Sequence, residues 1–219
     1  MYRQILHTLW SALRLPVVLL AVLAFAVPLL TVTYGGSLAD APAGRVAEWL
    51  FAAQQIGVLI PGLALLVGLL LGIGTWMHDH AGKHVYALSL PVSRERYVLL
   101  RFAAGGTLLL VPVAALAAGS LIAVASVSLP SGIHAYPVPL VVRFFFASLL
   151  CYAVFFAISI STRRAALAVL GAICGVLFAD LLLAAIGVEA TVTPTVFMWL
   201  TNWPGPLSIL IGRWALFDV

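Results

Sequence analysis

Charge is what this sequence has least of. Only 8% of its 219 residues are Asp, Glu, Lys or Arg, while 64% are hydrophobic. A soluble domain carries about 25% charged residues, because its surface must be solvated. The shortage excludes a water-soluble globule and predicts an all-α polytopic membrane protein with a single transmembrane domain over residues 1–219. Lysine occurs once, at Lys83 in "MHDHAGKH". A phosphate-binding loop needs a glycine five residues before a Gly-Lys-Ser/Thr, so that backbone amides and the lysine surround the phosphates. Here Met77 stands at the first glycine and His84 at the hydroxyl residue, so no nucleotide is expected to bind this chain through such a loop. GxSxG, HExxH and a pair of carboxylates within one span are also missing, which leaves no catalytic residue to nominate. Cysteine is scarce too. Cys151 and Cys174 lie in apolar runs without CxxC or Cys/His spacing, so neither a disulfide framework nor a metal site is expected from them. The net charge of +4 is read as topology signals and lipid-headgroup contacts, with no nucleic-acid partner.

What the sequence has is hydrocarbon in long runs. Five are present, at about 15–34, 51–76, 100–128, 139–161 and 166–188, each near or above the roughly 20 residues a spanning helix needs. Pro28, Pro61 and Pro112 lie inside the first three, where each removes a backbone donor and predicts a kink. Residues 1–14, "MYRQILHTLWSALR", place Ile5, Leu6, Leu9, Trp10 and Leu13 on one helical face and mostly polar residues on the other. This predicts an interfacial amphipathic helix with Trp10 at headgroup depth, and it is unlike a cleaved signal peptide. The segment 191–214 is long enough to cross, but "NWPGP" at 202–206 breaks it. It is either a broken sixth span or two short helices that enter the outer leaflet and return, with the balance toward the second.

Orientation follows from the basic residues. Arg3, Arg14, Lys83, Arg94, Arg96, Arg101, Arg163 and Arg164 fall on one side of alternating spans, with Arg45 and Arg143 opposite. The crowded side is expected to be cytoplasmic, which puts the N-terminus in the cytoplasm of a multi-pass protein of the cell (plasma or inner) membrane.

Few polar residues lie within the spans. Asp180 is the one acid deep in a span, where charge costs roughly 2.5–3.5 kcal/mol and calls for a partner. Arg143, near the outer end of the fourth span, is the expected partner, in a structural ion pair or at a substrate contact. Gln54 and Gln55 are weaker candidates of the same kind. Gly68 with Gly72, and Gly171 with Gly175, have the spacing that lets helix backbones approach. His78, Asp79, His80 and His84 cluster, and a helix would bring His80 and His84 to one face as a zinc site requires. The alternative is a solvated polar turn at the membrane surface, the reading adopted here, with no metal assigned.

The charge is concentrated in "HDHAGKHVYALSLPVSRERYVLLR", residues 78–101. Its sequence predicts a short surface helix, a turn at Pro91, and a new helix capped by Ser93 that begins with Arg94, Glu95 and Arg96. Val85, Leu88 and Leu90 need an apolar partner, which is either lipid or a peripheral protein.

With "LPVSR" at the end of a leucine-rich segment, after an acidic residue and a Gly-containing polar turn that leave the second span, residues 78–105 resemble the permease subunits of ABC-2-type transporters. "MYRQILHTLWSALR" is similar to that family's N-terminal interfacial helix, and "NWPGPLSIL" to its extracellular half-helices. The resemblance departs in span number, since the family has six spans and five are clear here. It implies a coupling helix at 78–92, within a cytoplasmic loop 77–97, that sits in a groove of a separate ATPase subunit. Asp79, His80, Lys83, Val85, Leu88, Leu90, Pro91 and Arg94 would make the contact. It further implies two ATPase subunits holding ATP and magnesium, no cofactor on this chain, a second permease subunit identical or related, and export of a lipid-like or amphipathic substrate without covalent chemistry by this chain. Two other classes compete: an intramembrane, lipid-modifying enzyme using the histidine cluster, and a membrane substrate-binding subunit of an importer.

Overall fold

In the computed structural model the described residues are 1–33, 38, 41–81, 93–160, 171, 175, 179, 192–202, 205 and 207–218, and the side chains of 78–81, 94, 192–194, 196 and 197 lie outside the description. The backbone elements are α1 (Tyr2–Leu30), α2 (Ala43–Gly57), α3 (Leu59–Ala81), α4 (Arg94–Ala125), β1 (His134–Ala135), α5 (Pro137–Ile160), α6 (Val192–Thr201), one 3-10 turn (Ser208–Leu210) and β2 (Phe217–Asp218). Four stretches are long and apolar enough to cross a membrane: Tyr2–Leu30, Ala43–Met77, Glu95–Ala125 and Pro137–Ile160. These correspond to the first four expected spans. The fifth, at 166–188, falls almost entirely outside the described residues. The chain divides into two compact units, Met1–Phe156 with Arg213–Val219, and Ala157–Gly212.

Helix boundaries in the first unit follow local chemistry. Pro137 opens α5 at a position where its missing N–H costs nothing. Pro61 stops α2 short: its ring cannot tolerate the carbonyl four residues back, at Gly57, and the helix breaks there before α3 starts at Leu59. The second expected span is thus two helices in sequence, beginning eight residues earlier than the apolar run suggested. Ser93 is the N-cap residue of α4 by position, but its hydroxyl makes no capping hydrogen bond.

The N-terminal segment needs a larger correction. The predicted interfacial helix and first span form one helix, α1, with Pro16 and Pro28 inside it. Tyr2 meets Thr107 through a 2.6 Å hydroxyl contact, and the Phe25 backbone abuts Gly119. On straight helices Tyr2 and Phe25 would be about 34 Å apart, but Thr107 and Gly119 only about 18 Å. Side chains tilt toward a helix N-terminus, so a straight α1 cannot keep both contacts. It bends along its length, and Pro16, which leaves the Ala12 carbonyl without its amide, lies where the amphipathic part meets the apolar part. The predicted boundary is a bend within a continuous helix. Polarity divides as expected. Arg3, Gln4, His7, Ser11 and Arg14 are exposed, Leu9 and Leu13 are buried, and Trp10 is exposed.

The directions of the helices follow from the contacts. Gly68 abuts Cys151 and Tyr152, and Gly72 abuts Phe155 and Phe156, so α3 and α5 run parallel with their backbones in close approach. A side chain on Gly68 would overlap the Cys151 and Tyr152 backbone, which is why the small-residue spacing seen in the sequence is required here. Gly171 and Gly175, the second such pair, have no described atom near the position of a side chain and are exposed. Along α4, Arg101 bonds Thr75 while Gly105 meets the Tyr152 hydroxyl, so α4 runs antiparallel to α3 and α5. Leu13 meets Gly74, which puts the start of the apolar part of α1 at the same end as the close of α3 and the start of α4. We call this the loop end, since residues 82–92 connect α3 to α4 there.

At the opposite end, the tail end, β1 and β2 pair antiparallel with His134 facing Asp218 and Ala135 facing Phe217. Tyr136 N–H donates to the Leu216 carbonyl at 2.8 Å. Trp214, Leu216 and Phe217 are buried, and the Phe217 ring lies 5.0 Å from that of Trp49. Trp49 Nε1 donates to the Thr31 carbonyl at 2.9 Å, and the Trp214 carbonyl fills the space where a side chain on Gly57 would be. The last residues thereby tie the close of α1, α2 and the start of α5 together.

In the second unit, α6 ends at Thr201. Asn202 N–H donates to Met198, and Leu207 N–H reaches back to Leu200 at 2.8 Å before the 3-10 turn. Among the described residues after α6, Asn202, Gly205 and Leu207 are not helical, in keeping with the interruption expected at "NWPGP".

Candidate functional site

The loop end holds a buried cation that the sequence reading counted only as a topology signal. Arg101 is 6% exposed, in the third turn of α4. Its Nε donates to the Thr75 carbonyl of α3 at 2.6 Å, and one Nη donates to the Tyr97 hydroxyl one turn earlier on α4. The guanidinium carbon lies 4.9 Å from the Trp76 ring centroid and 5.5 Å from that of Tyr97. Thr75, Trp76 and Tyr97 are themselves buried. Trp76, Phe102, Tyr152 and Phe156 continue as an aromatic cluster, with rings 5.0 to 5.7 Å apart, and the Tyr152 hydroxyl donates to the Phe102 carbonyl at 2.9 Å.

The energetics explain why this arginine is tolerated. A lone guanidinium inside a membrane costs a few kcal/mol. The Trp76 face returns about 0.5–2 kcal/mol where water is excluded, and the Tyr97 hydroxyl accepts one N–H. The planar fork of arginine lets one group serve the carbonyl, the hydroxyl and the rings together. What the arrangement does is mechanical. It joins the close of α3 to the opening of α4, the two stems of the charged loop.

The residues nominated from the sequence are distributed unevenly. Asp79 and His80 lie in the last turns of α3 and Arg94 opens α4, so their backbones flank the loop. Lys83, Val85, Leu88, Leu90 and Pro91 lie outside the described residues, as does His84 of the histidine cluster. Gln54 and Gln55 are exposed on α2, away from the face that buries Trp49, Ala53 and Gly57. Arg143 is on α5, where one Nη donates to the Arg213 carbonyl at 2.7 Å and the guanidinium carbon lies 4.6 Å from the Trp214 centroid. Asp180, its expected partner, lies outside the described residues. The described partners of Arg143 are the tail, far along α5 from the Arg101 cluster. Arg213 and Asp218 are 3.7 Å apart in an exposed pair of little energetic weight.

A sequence signal for the Arg101 site did exist. Tyr97 and Arg101 stand four apart on a helix that starts at Arg94, and Trp76 is the only tryptophan in the second apolar run. An arginine seven residues inside a helix, with an aromatic partner one turn back, indicates a buried cation.

Comparison with protein-family models, with curated proteins and with solved structures finds no match.

Proposed function

We propose that this chain is the membrane-spanning permease subunit of an ATP-driven transporter of the ABC-2 type, exporting a lipid-like or amphipathic substrate. ATP and magnesium bind two separate ATPase subunits, and these dock on the loop 78–92 from the cytoplasm. A second permease subunit, identical or related, completes the pathway. One observation carries the reading: the charge-rich segment with "LPVSR" connects two membrane-length helices, α3 and α4, at the bundle end that also holds the basic N-terminal segment. By the positive-inside rule that end faces the cytoplasm. The stems of the loop are joined by Arg101, so a force on the loop reaches the helices through a fixed point rather than a slack hinge.

The test is purification of the tagged protein from its own membrane in mild detergent, with identification of what comes with it. The expected result is a stoichiometric ATPase carrying a phosphate-binding loop, lost when Val85, Leu88 and Leu90 are each replaced by Glu. Retention of the ATPase by that variant would refute the docking site. Zinc in the wild-type preparation without an ATPase would replace the permease with a metal-dependent membrane enzyme centred on His78, His80 and His84.

A further inference from the structure

We infer that Arg101 is a positioning residue for the facing ends of α3 and α4, a clamp that sets their spacing and angle. The sequence assigns Arg101 a general role, one more positive charge on the cytoplasmic side. Its geometry is more demanding than that. One guanidinium bonds the backbone of α3 at Thr75 and the side chain of α4 at Tyr97, and lies over the rings of Trp76 and Tyr97. Arg101 stands seven residues after the start of α4, and the Thr75 and Trp76 it meets lie in the part of α3 that faces it. On the far side of it the helices are packed by Phe102, Gly105, Tyr152 and Phe156.

A charge signal and a clamp make different demands on the side chain. The charge is supplied equally by lysine. The clamp is not, because an ammonium is a compact point charge without the planar fork that meets the Thr75 carbonyl, the Tyr97 hydroxyl and two rings at once. Tyr97 separates them again: Tyr97→Phe removes the hydroxyl and keeps the ring and every charge.

That the clamp serves ATPase coupling rests on the permease reading; that it fixes the stems does not. The experiment is therefore hydrogen exchange on the full chain in lipid nanodiscs, comparing wild type with Arg101→Lys, Arg101→Gln and Tyr97→Phe. In both Arg101 variants, amides of 77–97 are expected to exchange about tenfold faster, with those of 105–120 and 144–156 unchanged, as a local opening requires. Tyr97→Phe is expected to fall between these and wild type. Exchange in Arg101→Lys equal to wild type would reduce Arg101 to a charge and overturn the inference. Uniform acceleration through all spans would overturn it as well, making Arg101 a general core residue. The same variants are carried through co-purification. Loop exchange as expected in a protein that brings no ATPase leaves the clamp standing and removes the permease reading. An ATPase that binds wild type and is weakened about tenfold or more by Arg101→Lys supports both.

Discussion

Arg101 and Gly68 illustrate how a few positions set the interior of so uniform a chain. Hydrocarbon between spans gives little specificity, because lipid tails are as apolar as leucine side chains and helix association must come from close packing and polar contacts. Gly68 supplies the close packing. It lets the α3 backbone rest on Cys151 and Tyr152, and a bulky replacement has no free volume to enter. Gly68→Leu is expected to destabilise the protein by about 1–3 kcal/mol through overpacking, read as a lowered thermal midpoint in detergent. The exposed Gly44, whose surroundings are open, is the control, and Gly44→Leu should leave the midpoint within error. The sequence spacing of Gly68 and Gly72 foretold this contact, yet the same spacing at Gly171 and Gly175 corresponds to no described contact. Small-residue spacing permits approach; the partner surface decides whether approach occurs. Arg101 was legible as a charge and illegible as a clamp, since its role depends on Thr75 and Trp76, distant in sequence and brought together only by folding.

At the scale of elements, the apolar runs located the first four spanning stretches, because about 20 apolar residues have few alternatives to a helix. Their ends were less legible. Helix α2 begins in "AGRVAEWL", polar enough to look like a loop, and is held by tertiary contacts: Trp49 donates to Thr31 and its ring meets Phe217. Pro61 announced an interruption and α3 starts two residues before it, whereas Pro16 interrupts no helix by backbone assignment and bends α1 instead. The tail strand had no sequence signature at all. Two residues, Phe217 and Asp218, pair with His134 and Ala135 in a ladder too short for any period to reveal. Its weight lies in burial. Phe217 is 1% exposed between α2 and the β pair, so Phe217→Ala is expected to cost about 3–5 kcal/mol, the usual range for emptying a buried phenylalanine site. Thermal unfolding of the purified variant checks this, and a shift no larger than that of the exposed Ile211→Ala would show that the tail is peripheral.

For the molecule as a whole, the ends of the first unit carry topological information. Helices α1, α2 with α3, α4 and α5 bring the chain to the loop end at Phe156, and Arg213 rejoins the unit beside Arg143 near the start of α5. Within the first unit Leu13 of α1, the close of α3 and the start of α4 belong to the loop end, and the tail strand belongs to the opposite end. The charge asymmetry then acquires a purpose. The tail end is closed by aromatic burial and a short strand pair and holds Arg45, Arg143 and Arg213, while among the described residues the loop end holds Arg14, Arg94, Arg96 and Arg101 with the stems on which the proposed partner would act. The central claim is that this partner is an ATPase seated on the loop. The most direct measurement places a photo-crosslinking amino acid at Leu88, irradiates intact cells of the native host, and identifies the adduct. The account predicts a cytoplasmic ATPase, crosslinked from Leu88 and not from the exposed Val138 at the tail end. Adducts with lipid alone at Leu88, or labelling of that position by an impermeant reagent added outside the cell, would contradict it.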